Sequence, residues 1–211
     1  MSEAVRVVDH PLAGHLLAGL RDVRTAPERF RRLARRLATV LVLEATRDLP
    51  TRASVVTTPL QDAPVRLFAC PVVAVSVLRA GLGLLEAVTD LLPAVHVGYI
   101  GLERDEETLA PASYCMKVPP LDGAVVLLLE PMLATGGSAA LAARMLKERG
   151  AHDLRLICVV AAPEGIAHLA RAHPDVRVVT AALDDGLNDR GFIVPGLGDF
   201  GDRLSGTEPG G

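Results

Sequence analysis

The sequence predicts an α/β fold with a mostly parallel central sheet and helices on both of its faces. Short apolar runs alternate with helix-forming segments from about residue 53 to residue 181. These runs are continuously apolar instead of alternating with polar residues, which is typical of strands buried on both faces. Alternating strands and helices of this kind usually build parallel sheets.

Two helices are predicted ahead of this alternating region. Residues 10–22 form the first, with Pro11 in its first turn, and the second runs from Pro27 to about Asp48. Leucines repeat at helical spacing on one side of the second helix, and arginines lie mostly elsewhere: Arg31, Arg32, Arg35 and Arg36. Such a cluster is usually a solvated face. The alternative, an RNA-binding surface, has no interleaved aromatic residue beyond Phe30.

The remaining chain supplies the predicted strands and the helices between them. The strands are Ser54–Thr58, Val72–Leu78, Val95–Ile100, Val125–Leu129, Leu154–Val160 and Val176–Ala181. The helices are Leu82–Leu92, Ser138–Arg149 and Pro163–Ala172. We expect about five strands in the sheet and a single domain over residues 1–211.

Composition excludes several classes of protein. The chain has 211 residues, of which 50% are hydrophobic but only 3% aromatic, so its core must be aliphatic. A net charge of −3 gives no general attraction to nucleic acid or to anionic membranes. Uncharged apolar runs are far shorter than the ~20 residues of a membrane span, and the N-terminus lacks a signal-peptide core. The three cysteines form no CxxC pair, which indicates reduced thiols in the cytoplasm: Cys70, Cys115 and Cys158.

Familiar catalytic motifs are also missing. The histidines show no HExxH or comparable metal-ligand spacing. No GxxxxGK[ST] loop marks a P-loop nucleotide site, and no GxSxG marks a hydrolase nucleophile.

The most informative stretch is residues 123–149. The apolar run Ala124–Leu129 ends on Glu130, a loop of small residues covers Pro131–Gly137, and a helix begins at Ser138. Unpaired N–H groups at a helix start attract phosphate, and glycines let the backbone approach it closely. A carboxylate beside a phosphate needs a different task, and accepting hydrogen bonds from two ribose hydroxyls suits it. The stretch therefore predicts a site for ribose 5-phosphate.

The same stretch resembles a known family. EPMLATGGS, residues 130–138, is similar to the phosphoribosyl diphosphate loop of type I phosphoribosyltransferases, in the form used by uracil phosphoribosyltransferases. Further matches follow the family order: HPL (10–12), EATRDL (44–49), LRAGLG (78–83), AAPEG (161–165) and GFIVPGLGDFGDR (191–203). The chain departs from the family in having Glu130 where Asp is usual, and Phe192 where Tyr is common.

The resemblance implies an architecture and a reaction. It implies the type I phosphoribosyltransferase fold, with a core of about residues 50–185, a hood from about 1–25 and 186–205, and a flexible tail at 206–211. The implied reaction joins uracil to 5-phosphoribosyl 1-diphosphate, giving UMP and diphosphate. Mg²⁺ is the implied cofactor, without a direct protein ligand, although Asp199 can reach it through water. The substrate loop would comprise Glu130, Pro131, Met132, Leu133, Ala134, Thr135, Gly136, Gly137 and Ser138.

Two arginines are assigned to the diphosphate. Arg79 follows a buried strand and precedes two glycines and a helix, and LRAGLG resembles the family's diphosphate loop, which can hold a cis non-proline peptide. Without the resemblance an ordinary turn with a surface arginine is equally reasonable. Arg104 matches the arginine of the family's GLxRD segment, and the resemblance implies that it binds diphosphate. We expect Arg104–Tyr114 to be a mobile arm that covers the site or reaches a partner subunit; the alternative is a solvated hairpin.

The C-terminal segment is assigned to the base. Residues 196–201 satisfy GxGxxG, but they do not open a βαβ unit, so NAD binding is rejected. The resemblance implies that Ile193, Gly198, Asp199 and Phe200 bind uracil through their main chains. It also implies that Asp199 contacts the phosphoribosyl substrate, so that Arg79, Arg104, Glu130 and Asp199 carry the catalytic roles. The alternative for Asp199 is a turn-forming residue.

Other functions remain open at this stage. A phosphoribosyltransferase for another base would keep the phosphate loop and change the C-terminal segment. A non-catalytic, nucleotide-binding family member is kept open by Glu130, and an RNA-binding regulator by the arginine cluster. The resemblance further implies a homodimer or larger homo-oligomer, and some relatives are activated by GTP. Neither nucleic acid nor membrane is expected as a partner.

Overall fold

The computed structural model describes residues 5–104 and 111–207. Helices and strands alternate along most of this chain. In order they are β1 (Val5–Val7), α1 (Pro11–Arg21), α2 (Pro27–Ala45), β2 (Thr51–Thr57), β3 (Asp62–Phe68), β4 (Val72–Leu78), α3 (Leu82–Leu91), β5 (His96–Arg104), β6 (Pro111–Lys117), β7 (Val125–Leu129), β8 (Met132–Leu133), α4 (Gly137–Lys147), β9 (Asp153–Ala161), α5 (Pro163–Ala172), β10 (Arg177–Leu183), β11 (Gly186–Leu187), β12 (Ile193–Val194) and α6 (Phe200–Ser205).

The central sheet is mostly parallel, as predicted. Its order is β1-β10-β9-β7-β4-β5-β6, and β8 pairs with β9 beyond the end of β7. Every neighbouring pair is parallel except β5 and β6, which are antiparallel. The sheet has eight strands, more than the predicted five or so. The strands that the prediction lacked are β1 and β8, which are too short for a periodic signal, and β6, which begins with proline and has no continuous apolar run.

Helices cover both faces because successive strand residues point to opposite sides. On β4, Val72 and Ala74 pack in one core cluster with residues of α1, α2 and α3. Val73 and Val75 pack in the other cluster, with residues of α4 and of α5. β7 is buried along its whole length, which explains its unbroken apolar sequence. None of the described helices is both long and apolar enough to cross a membrane.

A separate hairpin projects from this body. β2 and β3 form a two-stranded antiparallel sheet of their own, so the predicted strand Ser54–Thr58 lies outside the central sheet. The hairpin packs only marginally on the rest of the described chain. It exposes large apolar side chains along its length and at its tip: Val55, Val56, Leu60, Leu67 and Phe68.

The two ends of the chain meet on one side of the molecule. Arg21, at the end of α1, forms an ion pair with Asp184, which follows β10. Gly206 and Thr207, assigned from the sequence to a flexible tail, cap α6 through hydrogen bonds from their N–H groups to the carbonyl of Asp202. Residues 208–211, the rest of that predicted tail, lie outside the described part of the chain.

Candidate functional site

The predicted phosphate loop, residues 130–138, lies at the carboxyl ends of the central strands, where open α/β sheets bind ligands. The Glu130 N–H donates to the carbonyl of Ile157 at 3.2 Å, which continues the sheet one residue past β7. Met132 and Leu133 then pair with the end of β9 as β8. Gly136 takes a left-handed conformation with φ of 79° and caps α4, which begins at Gly137. The loop thereby delivers the chain directly to a helix N-terminus, as the sequence predicts.

A second glycine, not singled out as a site residue from the sequence, supports the loop from behind. A Cβ on Gly165, in the first turn of α5, would lie 2.5 Å from the carbonyl oxygen of Ala134 and 2.6 Å from that of Leu133. A Cβ on Gly136 would lie 2.7 Å from the Gly165 carbonyl oxygen. The two backbones therefore touch, and only glycines permit this approach. The AAPEG motif was a sequence signal for Gly165, but it did not reveal which loop it supports.

Glu130 is the most unusual ionisable residue of the site. The side chain is partly buried, and its Oε2 atom is enclosed without a hydrogen-bond partner among the described residues. Burial raises the pKa of the carboxyl to about 8. A buried carboxylate oxygen without a partner is costly, and a ligand that donates hydrogen bonds would remove that cost.

The second predicted loop joins β4 to α3 beside the first. The Leu78–Arg79 peptide is cis, in agreement with the sequence-based suggestion. A Cβ on Gly81 would lie 2.4 Å from the carbonyl oxygen of Leu129, so this loop packs directly against the end of β7. The Ser76 hydroxyl beneath it is buried and has no hydrogen-bond partner within the described chain.

A cleft of about 810 Å³ brings Arg79 together with the C-terminal segment. Its lining includes Arg79, Phe192, Gly198 and Asp199. The phosphate loop is close by, because a Cβ on Gly191 would lie 4.0 Å from Cγ2 of Thr135. The fold thus gathers the predicted phosphate, diphosphate and base segments, which are far apart in the sequence.

The side chains of the predicted base segment are mostly engaged in the protein. Ile193 and Phe200 are buried, and the Phe200 ring packs edge-on against Phe30 at a centroid distance of 5.2 Å. Asp199 caps α6 by accepting a hydrogen bond from the Asp202 N–H at 2.9 Å. The capping role matches the turn-forming alternative, although Asp199 also lines the cleft. What Ile193 and Phe200 can offer a ligand is therefore their main chain.

Two expectations extend beyond the described residues. Arg104 is the last residue of β5, and its side chain is outside the described part of the structure. The proposed mobile arm, Arg104–Tyr114, includes residues 105–110, which also fall outside it. Strands β5 and β6 on either side of that gap pair as an antiparallel ladder.

The arginine cluster of α2 is partly committed to contacts within the protein. Arg32 pairs with Glu28 at 2.8 Å, Arg35 pairs with Asp90, and Arg31 donates to the carbonyl of Leu204 at 2.8 Å. These contacts match a solvated, ion-paired face.

Known proteins resemble this chain along almost its whole length. A family model described as uracil phosphoribosyltransferase matches residues 7–207. A Thermus thermophilus protein named uracil phosphoribosyltransferase is 50% identical over 206 residues, covering 97% of this chain and 99% of that protein. A solved protein structure from Aquifex aeolicus superimposes with a TM-score of 0.91 at 35% identity, covering 95% of this chain and 97% of that one.

More distant structures share the fold. Orotate phosphoribosyltransferase from Mycobacterium tuberculosis, solved with 5-phospho-α-D-ribosyl 1-diphosphate, has a TM-score of 0.51 at 18% identity, covering 83% of this chain and 91% of that one. The mostly parallel sheet is thus that of the type I phosphoribosyltransferases. With a family model spanning nearly its whole length and a half-identical relative, the chain belongs to the uracil phosphoribosyltransferase family.

Proposed function

We propose that this protein transfers the phosphoribosyl group of 5-phosphoribosyl 1-diphosphate to N1 of uracil, giving UMP and diphosphate. The observation that carries the proposal is the pairing of a helix N-terminus with an enclosed carboxylate oxygen on Glu130 that has no hydrogen-bond partner among the described residues. A sugar phosphate meets both needs at once, since its phosphate accepts hydrogen bonds and its hydroxyls donate them. Family membership supports the choice of base.

The 5′-phosphate binds the N-terminus of α4. Main-chain N–H groups between Leu133 and Ser138 donate to it, and the hydroxyls of Thr135 and Ser138 add further donors. The close contact between Gly136 and Gly165 fixes the backbone of this loop against α5. The remaining loop residues, Pro131, Met132 and Ala134, complete the turn around the sugar.

Glu130 orients the ribose by accepting hydrogen bonds from its 2′- and 3′-hydroxyls. Hydrogen bonds to the charged form lower the pKa of a carboxyl. Its pKa of about 8 in the free protein therefore falls on binding, and below that pH the ligand displaces a proton. The same change gives Oε2 the partner that it lacks in the described structure.

Arg79 and Arg104 neutralise the departing diphosphate. A guanidinium group suits a leaving group that gains charge in the transition state. The position of Arg79 in the cleft that also contains Gly198 and Asp199 supports its role. The role of Arg104 rests on the family pattern and on its place at the end of β5.

The donor set fits a magnesium ion that arrives with the substrate. Among the described residues no group of three or more acidic, histidine or cysteine side chains could form a metal site. Mg²⁺ commonly uses one or two carboxylates, several waters and substrate phosphates instead, and Asp199 in the cleft can contact it through water. When bound, the ion supplies positive charge to the diphosphate.

The base is held flat by main-chain groups of Ile193 and of Gly198–Phe200. Uracil N1 then forms a bond to C1′ while the bond from C1′ to the diphosphate oxygen breaks. The N1 proton is transferred to solvent or to a product. No residue of the site is assigned as a general base. Catalysis comes from positioning and electrostatics.

We further propose that the molecule works as a homodimer or larger homo-oligomer in the cytoplasm. The apolar β2–β3 hairpin supports self-association, because isolated hairpins are marginal in water and exposed apolar patches mark interfaces. The cytoplasmic location is proposed from the reduced cysteines. Activation by GTP is proposed from the family pattern alone. It predicts faster UMP formation when GTP is added.

The test is UMP formation from uracil and phosphoribosyl diphosphate with Mg²⁺. Cytosine, orotate and purines serve as matched alternative bases. The proposal predicts turnover with uracil and little with the others. Preference for another base would reassign the substrate, and ligand-induced stabilisation without turnover would identify a non-catalytic nucleotide-binding protein.

A further inference from the structure

The turn that follows β12 is held in an unusual way. Gly196 has φ of 57°, and a Cβ there would lie 2.1 Å from the carbonyl oxygen of Ile193. The turn leads directly into Gly198 and Asp199, which line the cleft. The position of this turn therefore determines where the proposed base-binding groups of Gly198 and Asp199 lie in the cleft.

Both polar main-chain groups of Gly196 bind a single ion pair. The Gly196 N–H donates to Oδ2 of Asp184 at 2.9 Å, and the Gly196 carbonyl accepts from Nη1 of Arg21 at 2.7 Å. Arg21 also donates to Oδ2 and Oδ1 of Asp184 at 2.8 and 2.5 Å. Asp184 is one of two charged residues that are buried in the described part of the chain. The three residues form a closed ring of hydrogen bonds, and bidentate arginine–carboxylate pairs fix geometry as well as charge.

A second arginine holds the other side of the turn. Arg203 donates to the carbonyl of Leu197 at 2.8 Å and to that of Asp22 at 2.7 Å. It also donates to the carbonyl of Leu20, and its guanidinium lies 4.6 Å above the ring of Phe30. Arg203 thereby ties α6 and the turn to the end of α1.

These contacts leave a specific set of main-chain groups free. The carbonyls of Gly196 and Leu197 are occupied by arginines. Within the described chain, the N–H and C=O of Gly198 and the N–H of Asp199 have no hydrogen-bond partner. The arginines thus bind the carbonyls of Gly196 and Leu197. The main-chain groups of Gly198 and the N–H of Asp199 remain available for a planar, imide-like base.

We propose that Arg21, Asp184 and Arg203 are positioning residues for base recognition. They couple the end of α1 to the turn, so that uracil affinity and base selectivity depend on residues that do not touch the base. This inference rests on the proposed function, because it assumes that Gly198–Phe200 bind uracil.

The experiment compares Asp184→Asn, Arg21→Gln and Arg21→Lys with the unmodified protein. Arg177→Gln is the matched control, because Arg177 also forms ion pairs, with Asp48 and Asp153, at the opposite ends of β9 and β10. Steady-state rates are measured against uracil and phosphoribosyl diphosphate separately, and selectivity against cytosine and orotate. Circular dichroism and thermal unfolding report whether each variant folds.

The inference predicts that Asp184→Asn and Arg21→Gln raise KM for uracil about tenfold or more, equivalent to about 1.4 kcal/mol. KM for phosphoribosyl diphosphate should stay within about twofold, selectivity for uracil should fall, and Arg21→Lys should recover part of the loss. Arg177→Gln should change neither KM. If Asp184→Asn does not fold, the two Arg21 variants decide the question.

Two contrary results have different meanings. Unchanged kinetics in the variants, or equal increases in both KM values, would overturn the positioning role while leaving the proposed function intact. Absence of UMP formation by the unmodified protein would reject the proposed function, and this inference with it.

Discussion

At the level of single residues, Glu130 gives the clearest pH signature. An acid whose pKa is raised from 4.5 to about 8 in the fold keeps a proton that the unfolded chain loses. Stability without ligand should therefore fall as pH rises from about 4.5 to about 8. Glu130→Gln should remove this part of the pH dependence and stabilise the fold most at pH 8 and above. Urea unfolding at pH 5 and pH 8 gives the free energy of unfolding of the unmodified protein and of Glu130→Gln. If this free energy changes with pH by the same amount in both proteins, the pKa shift is contradicted.

The length of the Glu130 side chain supplies a second prediction. Glu130→Asp restores the family's usual residue and keeps a carboxylate able to accept from the ribose hydroxyls. UMP formation should be retained or increased in a steady-state assay. A collapse in activity would mean that this pocket has adapted to the longer side chain.

Arg79 is expected to act mainly on the chemical step. Arg79→Ala removes a charge that opposes the negative charge developing on diphosphate, so kcat should fall about 100-fold or more. Arg32→Ala is a suitable control, since its pair with Glu28 lies on the surface of α2. Unchanged kcat in the Arg79 variant would reject its role at the diphosphate.

At the level of elements, the contact between the phosphate loop and α5 is predicted to fix the position of the phosphate. Gly165→Ala places a methyl group 2.5 Å from the Ala134 carbonyl oxygen, so the loop must shift. Shifts of about 1 Å in a positioned group can cost about 100-fold in rate. We expect a large loss in kcat/KM for phosphoribosyl diphosphate. Gly14→Ala on α1 is the control, because its new methyl group meets no atom within 4 Å; equal kinetics for both variants would contradict the claim.

At the level of the whole molecule, the β2–β3 hairpin should mediate self-association. Val55 and Leu60 are 63% and 95% exposed, which is unfavourable unless a second copy covers them. Val55→Asp and Leu60→Asp together should shift the mass measured by light scattering towards the monomer. Leu43→Asp, at an exposed position of α2, should leave the mass unchanged. A monomeric unmodified protein, or an unchanged oligomer in the double variant, would contradict this role.

The local sequence predicted the strands whose residues form an uninterrupted apolar run. The apolar runs of β4, β7 and β9 matched the strands because each is buried on both faces. The passage from β7 through a short loop into α4 was predictable because an acid, a glycine pair and a helix start lie within a few residues of one another. Helix α4 begins at Gly137, one residue before the predicted Ser138.

Other features depend on contacts between distant residues and gave no local signal. Arg21 and Asp184 are 163 positions apart, and neither lies in a motif that marks it as part of the site. Strand β3 contains Pro64 and Arg66 and was missed, because it is stabilised by pairing with β2 instead of by burial. Helix α6 is absent from the predicted helices, since its six residues are too few to show a period.

The most direct test of the central claim is a crystal structure of the protein with UMP. The 5′-phosphate should accept hydrogen bonds from main-chain N–H groups between Leu133 and Ser138, and the ribose hydroxyls should contact Glu130. Uracil should lie against Gly198–Phe200. A nucleotide bound elsewhere, or an empty loop at saturating UMP, would contradict the account.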